Sequence, residues 1–315
     1  MDNIWQNLKK PIFCLAPMFG VTDSAFRQLL VKIGRPDVMF TEFTNVQALF
    51  SPDKTSVQQL TFVSKEQPLI AQIWGQDPEL FEAAADFIAG AGFAGVDINF
   101  GCPEKSVIKK GAGGALIDNP DLAGKIITAT LKGSRGRLPV SVKTRLGYKT
   151  INTSPWFKFL FNFDLAAISV HCRTTKALSL GPTHWEEISK IVRLKKQMKA
   201  KTLIIGNGDI FSRPMAYQRI KQTGINGIMI GRGVFHDPYI FNSRETIKVK
   251  TKAQKLKLLN QHLDIYKTTW GSTRSYHPLK RFFKIYVNNF KGALALRMKL
   301  MNTQSIGEAK AIISQ

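Results

Sequence analysis

Short apolar runs of four or five residues recur along this chain, separated by longer amphipathic stretches. The runs at 12–16, 38–41, 69–73, 95–98, 140–143, 167–170, 202–205 and 227–230 are mostly continuous rather than alternating. That is the pattern of parallel strands buried on both faces. Helical periodicity fills most intervals, at 23–33, 78–89, 120–131, 155–161, 185–198 and 213–222. Several of these stretches open with Pro near the first turn, where a missing N–H costs nothing. Eight strands with intervening helices predict an α/β fold, a (β/α)8 TIM barrel. An open doubly wound sheet is the alternative. Polar residues follow so many of the strands that the barrel is preferred. They are Pro17-Met18, Glu42, Gln72, Asn99 and Cys102, Lys143 and Arg145, His171 and Arg173, Asn207 to Asp209, and Gly231-Arg232. In a barrel these positions ring one mouth, whereas an open sheet would string them along a line.

The pattern changes after Asn242. Strand-like runs stop, and basic amphipathic helices are expected at 252–269, 278–290 and 305–314, with turns at Trp270-Gly271-Ser272 and Lys291-Gly292. The expected organisation is therefore a barrel over 1–242, followed by a small all-α helical domain over 243–315. Neither a solenoid repeat nor a low-complexity tract is visible.

Composition adds a partner to this picture. The chain has 315 residues, of which 44% are hydrophobic, so a large core can be buried. Its 45 Lys and Arg outnumber 22 Asp and Glu, a formal charge of +23. Fourteen of those cations lie between Asn242 and Met301, against only two acids, Glu245 and Asp264. A second acid-free cluster runs through Lys190, Arg193, Lys195, Lys196, Lys199 and Lys201. Such runs are often only solvated faces, but two dense clusters favour a phosphate backbone as partner. No apolar run is long enough for a membrane span, and the start lacks the pattern of a secretory signal. Three cysteines fit a reducing cytoplasm and give no zinc-ligand spacing, so no metal is expected. A monomer is expected because the basic surfaces would repel each other.

Candidate chemistry concentrates at the strand ends. Asp97-Ile98-Asn99-Phe100-Gly101-Cys102-Pro103 leaves a strand and enters a loop. A thiol there could act as a nucleophile or as an acid; with an ordinary pKa near 8.5 it is mostly protonated and suits proton donation. Most free cysteines are small buried hydrophobes, but the flanking Gly and Pro put Cys102 outside any regular element. Cys14 reads as core, and Cys172 faces away from the mouth if His171 and Arg173 face it. Lys143 and Arg145 alternate, so both cations point one way and need an anion. A structural carboxylate or a reduced flavin would supply one. His171 is either a hydrogen-bonding partner of the same ring or a satisfied core histidine. Gly206-Asn207-Gly208-Asp209 and Gly231-Arg232-Gly233 follow the last two strands. Barrels often bind phosphate there through backbone N–H groups, so a phosphate-bearing cofactor is implied, and FMN fits.

Taken together, Ala16-Pro17-Met18, Thr22-Asp23, Phe26-Arg27, Gln72, Asn99 to Pro103, Lys143 to Gly147, His171 to Thr174, Asn207-Gly208-Asp209 and Gly231-Arg232 resemble the tRNA-dihydrouridine synthases. The likeness runs from about Ile12 to Phe241, with a weaker echo from Lys280 to Leu300. It implies an enzyme that reduces bound FMN with NADPH or NADH, then reduces the C5–C6 bond of specific uridines in tRNA to dihydrouridine. By the resemblance Cys102 is the acid that protonates C5 while hydride goes from FMN N5 to C6. Pro17, Met18, Phe19, Gln72, Lys143, His171, Asn207, Gly208, Asp209, Gly231 and Arg232 would hold the flavin. Asn99, Arg145 and Arg173 would orient the uracil. Lys105, Lys110, Lys252, Lys255, Lys257, Lys280, Arg281 and Arg297 would meet the RNA backbone.

Two features depart from the family pattern. The stretch 150–164, with Trp156, Phe157, Phe159, Phe161 and Phe163, is unusually aromatic, and a tight core helix is favoured over an RNA-stacking platform. Residues 176–180 offer no aromatic over the base. Rival readings are a synthase acting on ribosomal RNA, an FMN barrel reducing a small molecule in the manner of a dihydroorotate dehydrogenase, and a non-catalytic RNA-binding barrel.

Overall fold

The structure, a computed structural model, describes residues 3–51, 55–243 and 250–314. Its strands are β1 (Ile12–Leu15), β2 (Met39–Phe40), β3 (Thr44–Asn45), β4 (Leu69–Trp74), β5 (Gly95–Phe100), β6 (Val140–Arg145), β7 (Ala167–His171), β8 (Leu203–Asn207) and β9 (Gly227–Ile230). All pair in parallel in the order β1-β9-β8-β7-β6-β5-β4-β2. A Cys14–Val38 bridge closes the ring, with the Leu15 N–H on the Val38 carbonyl at 2.9 Å. β3 is a short extension beside the end of β4. The barrel expected from the sequence is therefore present, its second strand cut from 38–41 to two residues.

Helices alternate with the strands: α1 (Ser24–Ile33), α2 (Pro78–Gly90), α3 (Pro120–Ser134), α4 (Thr153–Leu160), α5 (Trp185–Gln197) and α6 (Arg213–Thr223). Their starts are written in the sequence. Asp23, Asp77, Asn119 and Ser212 each accept a first-turn N–H, and Pro78, Pro120 and Pro214 occupy the first two helical positions. The aromatic stretch is the core helix expected of it: Trp156, Phe157 and Leu160 of α4 are buried.

Strand alternation divides the apolar residues into two layers. Ile12, Cys14, Val38, Phe40, Ile70, Ala167, Leu203, Ile205 and Met229 fill the inside of the barrel. Trp5, from the helical turn Ile4–Asn7 that precedes β1, joins them at the N-terminal end. Cys172, as expected, belongs to the outer layer between strands and helices.

The C-terminal segment contains α7 (Lys252–Trp270), α8 (Ala293–Asn302) and α9 (Ile306–Ile313). Leu259 and Leu263 of α7 and Phe282 share one apolar cluster with Phe26 of α1, whose ring lies 5.0 Å from that of Phe282. His262, buried there, is pushed by burial down to about 3 and stays neutral against the Tyr286 hydroxyl at 2.9 Å. The helix expected at 278–290 is instead a 3₁₀ turn (His277–Phe282) and a short helix (Phe283–Tyr286). Asn288 ends it by donating Nδ2 to the Lys284 and Ile285 carbonyls, and Asn289 takes a left-handed φ of 53°. No helix among the described residues is long and apolar enough to cross a membrane.

Candidate active site

Cys102 lies two residues past β5, and a chain of hydrogen bonds across three strands sets its backbone. The Gly101 and Cys102 N–H groups donate to Asn99 Oδ1 at 3.0 and 2.8 Å. Asn99 Nδ2 donates to Gln72 Oε1 at 3.0 Å, and Gln72 Nε2 to Asp97 Oδ2 at 2.6 Å. The other Asp97 oxygen accepts the Ser141 hydroxyl at 2.5 Å. An ionised carboxylate only accepts. Asp97 therefore fixes the orientation of both amides, and with it the carbonyl that Asn99 turns toward Cys102. Burial lifts the Asp97 carboxyl to about 6, against the pull of Gln72, Ser141 and Lys143. From the far side the Gly114 N–H donates to the Cys102 carbonyl at 3.0 Å.

The Cys102 side chain is 9% exposed and packs with Val107, Ala112, Phe43 and Trp74. Burial raises its thiol above the ordinary range, opposed by the Glu104 N–H and by the Lys143 and Arg145 charges. The group is thus a protonated thiol at neutral pH, suited to giving a proton.

Lys143 pairs in register with Asn99 on the same inner face. Burial, and then Arg145, depress its ammonium to about 8, while Asp97 and Cys102 raise it. No hydrogen bond or ion pair among the described residues engages it. Arg145 is used differently. Its Nε donates to the Gly101 carbonyl at 2.7 Å and its Nη1 to the Thr174 and Leu178 carbonyls at 2.9 and 2.6 Å. It ties the Cys102 loop to the loop after β7, and burial lowers its pKa to about 10.

His171 ends β7 with Nδ1 buried and without a partner. Burial and the surrounding cations, Arg145 first among them, hold it well below the usual histidine range, hence neutral. Arg173 Nη2 and Arg232 Nη2 both bind Asp209, each at 2.5 Å, while Arg173 Nη1 is buried and unpaired. These cations hold the Asp209 carboxyl below its ordinary range. Asn207 Nδ2 donates to the Met229 carbonyl at 2.8 Å, Gly208 has φ 142°, and Gly231 leaves room beside the Met18 sulfur. Pro17 is buried, Met18 half-buried, and Phe19 57% exposed with its ring 5.5 Å from Phe43.

All the residues expected at the flavin and uracil stand at the C-terminal ends of the strands. The residues expected to meet RNA divide. Lys105, Lys110, Lys252 and Lys257 are exposed, Lys110 lying 5.8 Å from the centre of the Trp74 ring. Lys255 is bonded to Asn288, Lys280 to the Met301 carbonyl, Arg281 to the Gly20 carbonyl and Arg297 to the Val287 carbonyl. The sequence reading missed Asp97, Ser141, Phe43 and Trp74; only the alternation of Asp97 with Asn99 signalled one of them. A cavity of about 670 Å³ lies elsewhere, lined by Arg213, Tyr217, Tyr239, Lys255 and Leu258 among others, and contains none of the groups expected at the flavin and uracil. Among the described residues no cluster of His, Cys, Asp and Glu could hold a metal ion.

Comparison with known proteins identifies the family. The family model described as dihydrouridine synthase (Dus) matches residues 14–315. A Staphylococcus aureus (strain COL) protein named a probable tRNA-dihydrouridine synthase is 45% identical over 318 residues, covering 100% of this chain and 95% of its own. A Bacillus subtilis (strain 168) protein, probable tRNA-dihydrouridine synthase 2, is 43% identical over 316 residues, covering 99% and 96%. Among solved structures, histamine dehydrogenase from Rhizobium sp. 4-9 matches with a TM-score of 0.56 at 14% identity, over 84% of this chain and 51% of that one. A mutant morphinone reductase in complex with tetrahydroNAD matches with a TM-score of 0.50 at 11% identity, over 73% and 85%. At such identities the structural matches speak only for the barrel fold. The two relatives, each matched over nearly its whole length, and the matched family model carry the assignment: this chain belongs to the dihydrouridine synthase family.

Proposed function

We propose that this chain reduces specific uridines of tRNA to 5,6-dihydrouridine, using bound FMN with NADPH or NADH as reductant and Cys102 as the acid. One observation carries the reading. The Lys143 ammonium, His171 Nδ1 and Arg173 Nη1 belong to neighbouring strand ends, both cations depress His171, and none of the three atoms has a hydrogen-bond partner among the described residues. Buried polar groups without partners are costly; a planar anionic ring would answer Lys143 and His171, and a uracil beside it would answer Arg173. Gln72, Lys143 and His171 would face that ring, with Pro17, Met18 and Phe19 along its side. Asn207, Gly208, Asp209, Gly231 and Arg232 would hold its phosphate end, where two arginines on one Asp209 leave a net positive charge. FMN, when bound, supplies hydride at N5 for uracil C6.

The chain's own groups do the rest. Asn99 and Arg173 orient the uracil, and Arg145 holds the two loops that flank it. Cys102 delivers its proton to C5. A stacked base cannot reach the barrel, so the target must leave its stack. Lys105 and Lys110 at the rim, and Lys252 and Lys257 on α7, would grip phosphates without reading sequence. In this reading residues 1–242 are the catalytic domain and 243–315 the RNA-binding domain of a cytoplasmic monomer.

The test is mass-spectrometric counting of dihydrouridine in RNA from cells lacking the gene, after incubation with protein, FMN and NADPH. New dihydrouridine in the tRNA fraction is expected. Dihydrouridine only in large RNA moves the substrate to ribosomal RNA. None in either, from a flavin-bearing protein, refutes RNA as the substrate.

A further inference from the structure

The loop after β1, residues 17–22, is held by groups that the reaction leaves unused. Two buried carboxylates stand behind it: Asp23, which caps α1, and Glu42, just past β2. Glu42 Oε1 accepts the Gly20 N–H at 2.5 Å. Arg274, four residues past α7, spans both acids, with Nη1 3.2 Å from Asp23 Oδ2 and Nη2 3.3 Å from Glu42 Oε2. Trp270 Nε1 donates to the same Asp23 oxygen at 3.1 Å, and the Arg274 guanidinium lies 4.8 Å from the Trp270 ring centre. On the other side Arg281 donates to the Gly20 carbonyl at 2.8 Å. Gly20 has φ +69°, and a Cβ there would occupy the place of the Arg281 guanidinium. The left-handed backbone conformation favours glycine, and a side chain there would displace the Arg281 guanidinium. The loop held in this way carries Met18, beside Gly231, and Phe19, against Phe43.

Adhesion alone does not call for this arrangement. Phe26, Leu259, Leu263 and Phe282 already join the helical segment to the barrel in an apolar cluster. Burying charges adds a desolvation cost that apolar packing avoids. What a guanidinium on two carboxylates adds is geometry, because its planar fork fixes direction as well as distance.

We infer that Arg274 is a positioning residue that sets, through Glu42 and Gly20, the Met18–Phe19 loop against the cofactor, so that the helical segment shapes the flavin site. The inference rests on the reading of the mouth as a flavin site. Arg274→Lys and Glu42→Gln are the informative variants. Lysine is a point charge that cannot fork to both acids, and glutamine keeps an acceptor for the Gly20 N–H. The holoenzymes are compared with the wild type in flavin dissociation constant, visible flavin spectrum, melting temperature, RNA affinity at fixed salt, and the single-turnover rate at which RNA reoxidises the reduced enzyme.

For Arg274→Lys a tenfold or greater loss in flavin affinity or reoxidation rate is expected, with a shifted spectrum and RNA affinity within threefold. Glu42→Gln should fall between Arg274→Lys and the wild type. Flavin affinity and rate within twofold of wild type in both variants overturn the inference. So does a parallel loss of melting temperature, flavin binding and RNA binding, which marks a structural joint only. Arg274→Met strands two buried carboxylates and is expected to fold poorly, so the conservative pair decides. A wild-type protein that takes up no flavin sinks the reading of the mouth and this inference with it; failure in the variants alone sinks only the inference.

Discussion

Replacing Cys102 with alanine separates its chemistry from its packing. Its backbone is held independently of the sulfur, by Asn99 Oδ1 on its N–H and the Gly114 N–H on its carbonyl. The substitution removes one heavy atom from a small cluster with Val107 and Ala112. That is comparable to losing a methylene, about 1 kcal/mol, and a fall in melting temperature of roughly 1–2 °C for a chain of this size. Flavin and RNA affinity should stay within about threefold. Turnover should not. Loss of a positioned general acid costs roughly 10²–10⁴-fold, which is about 3–5 kcal/mol at about 1.4 kcal/mol per tenfold. The assay is single-turnover reoxidation of the reduced enzyme by unmodified RNA, with dihydrouridine counted in the product.

The pH dependence follows from the same burial. The thiol is raised above its ordinary range, so the acid is intact through neutral pH and lost only as pH rises through that raised value. Cys102→Ser, a much weaker acid of nearly the same shape, should fall close to the alanine variant. A Cys102→Ala rate within tenfold of wild type at equal flavin occupancy refutes proton donation by this residue. A melting temperature lowered by more than 10 °C would show that the cluster, and not only the acid, depends on the sulfur.

Lys143 loses its charge above about pH 8, so kcat/KM should decline from there, and Lys143→Arg should move that limb upward; an unmoved limb excludes the lysine charge as its origin. Asp97→Asn presents an N–H to Ser141, whose hydroxyl can turn to accept it, or to Gln72, where it turns the amides and removes the acceptor from the Cys102 N–H. One misplaced hydrogen bond of about 1–3 kcal/mol predicts turnover down roughly 10–100-fold. The folded chain holds the Asp97 proton up to about 6, whereas the unfolded chain releases it near 4. The stability this carboxyl contributes is therefore present below that window and lost as pH rises through it; denaturant melts at several pH values should show the loss shrink in the asparagine variant. Lys252→Glu with Lys257→Glu should weaken RNA binding and reduce the salt slope by about 0.7–0.9 for each phosphate no longer neutralised, and an unchanged slope sinks the claim that α7 grips phosphate. Lys255→Glu should instead lower the melting temperature, because that ammonium binds Asn288 within the helical segment.

The barrel was legible because strands covered on both faces are written as continuous apolar runs, with polar residues waiting at one end of each. Helix starts were legible for a local reason, since Asp23, Asn119 and Ser212 cap within their own first turn. What failed was non-local or lacked a period. Helix α8, Ala293–Asn302, has apolar residues on all sides and shows no stripe to read. The Asp97–Gln72–Asn99 chain depends on the register of β4 against β5, which no single run encodes. Cations were the least legible group. An arginine facing phosphate and one capping carbonyls look alike in sequence, and Arg145, Arg281 and Arg297 prove to be bonded to backbone oxygens.

The barrel interior shows why the site lies where it does. Below Asn207, the side formed by β1, β2 with the preceding Val38, β8 and β9 sends apolar side chains inward: Ile12, Cys14, Val38, Phe40, Leu203, Ile205 and Met229. The other side, β4 to β7, sends Gln72, Asp97, Asn99, Ser141, Lys143, Ser169 and His171. A buried polar group is stable only when bonded. The part of this set toward β4 meets that condition, with Gln72, Asp97, Asn99 and Ser141 satisfied among themselves and locked in one orientation. The part toward β7 does not: Ser169 Oγ and His171 Nδ1 have no partner, and no hydrogen bond or ion pair engages Lys143. The satisfied half gives rigidity to the loop that carries Cys102. In the proposed reading, a polar, anionic molecule seated across the mouth would complete the unsatisfied half. The protonated thiol feels the Lys143 charge, so in that reading a ligand answering these groups would lie near the proposed acid.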